Sequence, residues 1–439
     1  MRRVRFQKML WANRDRPTRS TRRRAATMAT HHQRELVRAD QHGLEKFDSR
    51  SLTYKSHGED TQFRFLECQS LGYVCGMKIG LVRRGYSASG GAEKFLRRFA
   101  DGVKLRGHEP VFFVDDSWIA KEDAEVIHLD GSSPRAFAND LEKQRGACDQ
   151  LLSLERVWSC DVYRAGDGVH RAWLERRKAM EPAWKSWTRG FSAKHRTMIE
   201  LEASVVGDAS RCGKVVVNSR MVADEIADYY PGRSSDDVEL IYNGYDPVDL
   251  PEEMDRALDR AEVRRELGIA EGQPVVLFVG SGWERKGLRS LIDAFSDVKD
   301  SRALLLVAGK GRVDTRWKGM GRVKFLGARS DVPRLLMAAD VFALPTYYDP
   351  FSNATLEAAR HGLPVITTRS NGFHEVMEDG VHGSVVEAGD ADAIRAGLDL
   401  WISRAGDGEV FQRCVANAKP YTVARNVDAT LGWLLGERA

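Results

Sequence analysis

Short apolar runs alternate with amphipathic segments over most of the chain. From Met77 onward, apolar runs such as MKIGLV, PVFFV and KVVVN recur, and after the first of them apolar residues follow at spacings of three and four, from Ala92 to Val103. Strand-sized apolar runs followed by helical periodicity are typical of a parallel sheet with helices on both faces. The predicted strands are 77–82, 110–114, 160–165, 214–218 and 238–241, then 274–280, 303–309, 323–327, 341–345 and 364–368.

A turn-rich segment, YNGYDPVDLPEE (242–253), separates the two series of strands. The pattern therefore predicts an α/β protein with two tandem, doubly wound, Rossmann-like domains, over 76–245 and 246–420, and a C-terminal helix within 421–439. In two-lobed proteins of this class the ligand lies at the carboxyl ends of the strands, in the central cleft that both domains face.

The first 75 residues lack this alternation and are rich in arginine. Residues 1–56 hold 15 Lys/Arg and 5 Asp/Glu, which leaves 52 and 58 for the rest, so the body is mildly acidic although the whole chain carries +4. We expect a basic, disordered extension. A polyanion- or membrane-binding arm, and translated sequence upstream of a start at Met77, remain alternatives. No specific nucleic acid is expected as a partner.

Cysteine spacing and hydropathy bear on several other protein classes. The six cysteines form no CxxC pair, which favours reduced thiols and no zinc site. No run approaches the roughly 18 apolar residues of a membrane span, and the start lacks the apolar core of a secretory signal. We therefore expect a cytoplasmic protein.

The segment TYYDPFSNATLEAARHGLPVITT (346–368) carries the strongest candidate site. Ser352 or Asn353 can cap a helix that begins at about Ala354. The first turn of such a helix offers unpaired N–H groups and a positive dipole end, which suit the phosphate of a nucleotide diphosphate.

Two carboxylates flank this helix start. Glu357, one turn into the helix, can accept hydrogen bonds from a ribose, and Asp349, before the turn, can bind sugar hydroxyls. A surface helix with two solvated carboxylates is the alternative.

Two further segments carry candidate phosphate-binding groups. In VGSGWERKGLRSLIDAF, Arg285 and Lys286 stand between a strand and a helix, where two cations suit a diphosphate. In GYSASGGAEKF, Gly90 and Gly91 permit close backbone approach to a phosphate or sugar. A solvated basic pair and a plain tight turn are the respective alternatives.

The segment DVYRAGDGVHRAWLERR places Asp167 and His170 after a strand end, where both can face the cleft. Residues 171–196, here called the basic insert, are crowded with Trp, Arg and Lys. This composition favours contact with an anionic membrane face. A solvated helical hairpin is the alternative.

Together these motifs resemble glycosyltransferase family 4, whose fold is GT-B. The 346–368 segment resembles the family's E-x7-E region and is similar to the lipopolysaccharide core glucosyltransferase I branch, with Asp349 where the family usually has Glu. The Arg/Lys pair and the GG-x-E turn, with Glu93, match family positions as well. The resemblance covers about 77–435.

The resemblance implies a retaining, metal-independent hexosyltransferase. Its donor would be UDP-glucose, held by the second domain as a substrate with no further cofactor, and its acceptor a lipopolysaccharide core or similar glycan or glycolipid at the inner face of the cytoplasmic membrane. The roles of His170 and Glu202 stay open. The implied catalytic residues are Asp167, Asp349 and Lys286, and the implied donor-binding residues are Gly90, Gly91, Arg285, Lys286, Ser352, Asn353, Ala354 and Glu357.

Two other functions use the same fold. One is a non-hydrolysing sugar-nucleotide epimerase, and the other is a catalytically silent sugar-nucleotide-binding protein. The acceptor-side Asp167, the two acids of the 346–368 segment and the intact Arg/Lys pair favour transfer over both.

Overall fold

The computed structural model describes residues 76–86, 91–119, 122–180, 192–246, 253–317 and 319–437. The predicted disordered extension over 1–75, Gly90, and residues 181–191 of the basic insert lie outside them.

The first half of the described chain builds a seven-stranded parallel sheet. Its strand order is β3-β2-β1-β4-β5-β6-β7, so the direction of winding reverses between β1 and β4. The strands are β1 Lys78–Arg83, β2 Glu109–Asp115, β3 Glu125–Leu129, β4 Gln150–Ser153, β5 Cys160–Arg164, β6 Cys212–Val217 and β7 Val238–Leu240.

Helices connect these strands and cover both faces of the sheet. Two of them start at serines whose side chains accept a backbone N–H: Ser133 before α2, which has proline at its first position, and Ser219 before α5. The helices are α1 Gly91–Leu105, α2 Pro134–Gln144, α3 His170–Met180, α4 Ala193–Gly207 and α5 Arg220–Tyr229.

The second half repeats the design with six parallel strands in the order β10-β9-β8-β11-β12-β13. Winding reverses here between β8 and β11. The strands are β8 Val275–Val279, β9 Leu304–Ala308, β10 Val323–Gly327, β11 Val341–Leu344, β12 Val365–Thr368 and β13 Gly383–Val386. The helices are α6 Glu253–Glu266, α7 Leu288–Ser296, α8 Val332–Ala338, α9 Asn353–Arg360, α10 Ala391–Ser403 and α11 Gly408–Ala418.

The last helix, α12 Val423–Leu435, returns to the first half of the chain. Its side chains Val427 and Leu431 pack in the same core as α1. A Cβ at Gly102 of α1 would lie 2.4 Å from Val427 Cγ1, so the absence of a side chain there permits the close approach. The C-terminal segment therefore ties the two halves together.

The predicted α/β architecture of two doubly wound halves is confirmed, and each predicted strand is present to within one or two residues. Three strands were missed: β3, β4 and β13. Their sequences, EVIHL, QLLS and GSVV, each hold only two adjacent apolar residues, so none presents a distinctive apolar run. The exact domain boundaries stay predictions.

Candidate functional site

A cavity of about 1010 Å³ lies at the carboxyl ends of strands from both sheets. The end of β1 and the segments after β5, β8 and β11 all contribute to it, as the winding reversals in the two sheets require. The predicted residues that line it are Asp167, Arg285, Lys286, Asp349, Ser352, Asn353, Ala354 and Glu357. Gly91 is the first residue of α1.

The Arg285–Lys286 pair reaches the turn that carries Asp349. Lys286 Nζ forms an ion pair with the Asp349 carboxylate, and Arg285 Nη1 lies 3.9 Å from the same carboxylate oxygen. Arg285 Nη1 also donates to the carbonyl of Tyr348 at 2.6 Å. The structure thus brings together two groups that are 63 residues apart.

Close backbone contact makes this meeting possible. Gly287, just after the pair, has φ = 74° and a backbone so near β11 that a Cβ would lie 1.9 Å from the carbonyl oxygen of Pro345. A side chain at this position would therefore push the basic pair away from the Asp349 turn.

The Asp349 turn is fixed by backbone pairing with the segment after β12. Asp349 N–H donates to the Ser370 carbonyl at 2.9 Å, and Gly372 N–H donates to the Asp349 carbonyl at 3.0 Å. With its side chain 9% exposed, Asp349 is a buried carboxylate that the basic pair neutralises.

Helix α9 begins at Asn353, one residue before the predicted start, with Ser352 as its N-cap residue. The expected side-chain cap is absent, because Ser352 makes no cap hydrogen bond. Its Oγ is buried without a hydrogen-bond partner among the described residues. The first turn therefore keeps its N–H groups free of a cap from Ser352, and its residues Asn353 and Ala354 line the cavity. Glu357, half-buried, lies on the same helix and lines the same cavity.

Asp167 occupies the opposite wall, in the turn after β5. The turn needs glycine at its next position, since Gly168 has φ = 70°. Asp167 is exposed, and its charge acts on Arg83, Arg156 and Arg164 around it. It thus lines the same cavity as Arg285 and Lys286.

Tyr348, which sequence reasoning missed, joins the two walls. Its hydroxyl accepts a hydrogen bond from the Val169 N–H at 3.0 Å and donates one to Glu225 at 2.8 Å. Its ring stacks on Trp173 at 5.8 Å between centroids, and the residue is 2% exposed. A lone tyrosine beside Asp349 carries no sequence signal for such a contact.

Asn243 forms a second connection, from within the segment predicted to be a linker. Its Nδ2 donates to Asn353 Oδ1 at 2.8 Å and to the Phe351 carbonyl at 3.2 Å. Its Oδ1 accepts from Arg164 Nη2 at 2.6 Å. The start of α9 is thereby linked to the end of β5.

The buried Glu202 and the half-buried His170, whose roles the sequence left open, lie together next to the Asp167 turn. Glu202 is 1% exposed and accepts from Arg156 Nε at 2.8 Å, from the His170 N–H at 2.6 Å and from the Tyr230 hydroxyl at 2.9 Å. Burial lowers the pKa of His170 to about 4, and Arg156 adds to the effect. Glu202 therefore supports the loop.

Trp173, one of the three tryptophans of the basic insert, lines the cavity. Trp184 and Trp187 lie outside the described residues. In the part of the chain that the structure describes, no helix has the length and apolar character needed to cross a membrane. The same residues include no cluster of three metal-ligating side chains, and metal independence stays a prediction.

Two family profiles match the chain. One, described as Glycosyltransferase Family 4, matches residues 89–249, and the other, described as Glycosyl transferases group 1, matches residues 273–403. They cover the two halves that carry the two walls of the cavity.

Curated relatives match over different lengths. The chain is 34% identical over 148 residues to the lipopolysaccharide core biosynthesis glycosyltransferase LpsE of Rhizobium meliloti. This match spans 33% of this chain and 42% of LpsE. It is 26% identical over 324 residues to the lipopolysaccharide glucosyltransferase WaaG of Escherichia coli K12. This match spans 69% of this chain and 83% of WaaG. Three of the relatives are matched over only 42% to 54% of their own length.

Solved structures share the fold. The crystal structure of WaaG matches with a TM-score of 0.69 and 20% identity, over 82% of this chain and all of WaaG. HepE of Anabaena, crystallised with UDP and glucose, matches with a TM-score of 0.61 and 19% identity over 82% of this chain and all of HepE.

Proposed function

Because this chain belongs to glycosyltransferase family 4, we propose that it transfers a hexose from a nucleotide diphosphate sugar to a hydroxyl of a glycan or glycolipid. The observation that carries the proposal is the meeting of Arg285 and Lys286 with the Asp349 turn, beside the uncapped start of α9. Asp167 lies across the same cavity.

The charges of this arrangement suit the departure of a diphosphate. Breaking a glycosidic bond to phosphate passes through an oxocarbenium-like state while negative charge grows on the leaving group. Fixed cations and open N–H groups stabilise that charge without reorganisation. Arg285, Lys286 and the first turn of α9 are such groups, and Asp349 balances the two cations until the donor arrives.

Asp167 would act on the acceptor. An exposed carboxylate at the rim of the cavity can orient an acceptor hydroxyl and assist removal of its proton. The support given by Glu202 and by Tyr348, on either side of the Asp167 loop, would hold that carboxylate in place. Retention of anomeric configuration, by attack on the face that the diphosphate leaves, is part of the proposal.

Relatives guide the choice of substrates. WaaG is named a lipopolysaccharide glucosyltransferase, and HepE was crystallised with UDP and glucose. We therefore propose UDP-glucose as donor and a lipopolysaccharide core as acceptor, at the inner face of the cytoplasmic membrane. The basic insert would contact that face.

Transfer from UDP-glucose to lipopolysaccharide core, followed by release of UDP, tests the proposal. Lys286→Ala and Glu357→Ala should each lower turnover by roughly 10²–10³, the loss seen when a preorganised stabilising group is removed. Arg289→Ala is the matched control, because Arg289 lies on the same strand–helix unit but is 67% exposed. Near-normal transfer by both site variants would refute the assignment.

The same assay without acceptor separates the alternatives. A transferase releases UDP slowly until acceptor is added, whereas an epimerase converts the sugar nucleotide without one. A silent binding protein retains UDP-glucose and yields no product in either case.

A further inference from the structure

Arg164, the last residue of β5, is a buried cation on the wall of the cavity. It is 8% exposed, and its guanidinium lies over the ring of Phe95 at 4.2 Å. Nη2 donates to Asn243 at 2.6 Å, while Nε is buried and has no hydrogen-bond partner among the described residues. Gly166 leaves room for the group, because a Cβ there would lie 2.6 Å from Nη1.

The positive charge of Arg164 is poorly compensated. Burial lowers its pKa to about 10, so it stays protonated at neutral pH, and the exposed Asp167 is the one acid, within the described chain, whose charge opposes this effect. Arg156, equally buried nearby, shows the usual arrangement: it pairs with Glu202 at 2.8 Å and donates to the Gly168 carbonyl at 2.6 Å. A buried charge without an ion-pair partner costs free energy, so Arg164 is better explained by a ligand than by the fold.

A second arginine on the same edge supports this interpretation. Arg83 ends β1, lines the cavity and also keeps a buried Nε without a partner in the described structure. β1 and β5 flank β4, so both arginines lie at the same carboxyl edge. Arg83 already pairs with Glu155 at 2.7 Å and with Glu93 at 3.5 Å, which leaves Arg164 as the less neutralised of the two.

We propose that Arg164 binds an anionic phosphate-type oxygen of a substrate in the cleft. Its guanidinium would offer the N–H groups that Asn243 does not occupy. Its link through Asn243 to Asn353 places it near the helix start that faces the donor. Two sources share this chemistry: the diphosphate of the donor, and a phosphate on the acceptor. The inference rests on the proposed function in treating the cavity as the substrate site.

Calorimetric titration of the full chain with UDP, and with inorganic phosphate in the absence and presence of saturating UDP, tests the proposal. Arg164→Met should weaken at least one of these interactions tenfold or more, the usual value of a hydrogen bond to a charged group. Arg164→Lys should restore part of it. If the UDP affinity falls, the anion is the donor diphosphate. If only the binding of phosphate to the UDP complex falls, the anion belongs to the acceptor.

Arg233→Met is the matched control. Arg233 is also buried, but it donates to the carbonyls of Val206, Cys212 and Val205 and lies away from the cavity. We expect Arg233→Met to lower the Tm and leave ligand binding unchanged. Arg164→Met should instead weaken ligand binding. Because it removes an uncompensated charge, the Tm of the ligand-free protein should stay the same or rise.

Parental affinity for UDP and for phosphate in Arg164→Met would overturn the inference. In that case, loss of UDP binding in Lys286→Ala would still support the proposed function. If instead the parent protein fails to bind UDP, the proposed function fails, and phosphate binding that depends on Arg164 would still support the anion site.

Discussion

Replacing Tyr348 with phenylalanine tests how strongly the two walls of the cavity hold each other. The change removes one oxygen atom and keeps the ring, so the stacking on Trp173 and the packing around it remain. Two hydrogen bonds are lost, one from the Val169 N–H and one to Glu225.

The magnitude follows from these two bonds. The Val169 N–H loses the tyrosine hydroxyl as its acceptor and keeps only the Glu225 carboxylate. Losing a partner costs a buried group about 1–3 kcal/mol, and a hydrogen bond to a charged group contributes about 1.5–3 kcal/mol. Arg176, which pairs with Glu225, offsets part of the second loss. We therefore expect the free energy of unfolding to fall by about 3 kcal/mol.

Urea denaturation followed by fluorescence and circular dichroism measures this change. Tyr347→Phe is the control, because within the described structure the Tyr347 hydroxyl makes one hydrogen bond, of 3.0 Å, with Ser290, which contributes about 1 kcal/mol. Tyr348→Phe should also lower kcat while leaving UDP affinity close to the parental value, since the Asp167 loop loses its support. Equal losses of stability in Tyr348→Phe and Tyr347→Phe would show that the cross-wall contact is not a stabilising one.

Three further predictions concern the same region. In thermal denaturation, Gly168→Ala should destabilise the protein by about 1 kcal/mol or more beyond the loss caused by Gly380→Ala. Both glycines have positive φ, but only at Gly168 would an added Cβ lie 2.0 Å from the Tyr348 hydroxyl. Equal destabilisation by the two variants would contradict this. Burial lowers the pKa of His170 from 6.5 to about 4, so the unfolded chain binds the extra proton and stability falls as pH drops through that window. His170→Gln should reduce this loss of stability at low pH, whereas replacing the half-exposed His128 should not. If His170→Gln leaves the dependence of stability on pH unchanged, the assignment is refuted. Vesicles of anionic lipid should retain the protein at low salt and release it at high salt, and equal retention on neutral lipid would exclude the basic insert as the cause.

Much of the architecture was readable from local pattern. Apolar runs of strand length followed by helical spacing recur along the chain, and each unit needs only its neighbours to form a parallel sheet. The segment with Asp349 and Glu357 likewise signals its helix start within a few residues. Strands β3, β4 and β13 were missed because each holds only two adjacent apolar residues.

The groupings within the cavity depend on tertiary structure. Lys286 and Asp349 are 63 residues apart, and Val169 and Tyr348 are 179 apart, so their contacts follow from strand order and from how the halves pack. Sequence pattern does not report which buried charges find partners, and the isolation of Arg164 became visible only once its neighbours were in place. The periodicity of apolar residues determines which helices and strands form, because it depends on residues within a few positions of each other. Long-range packing decides which side chains share a site, because it brings together atoms that no local pattern connects.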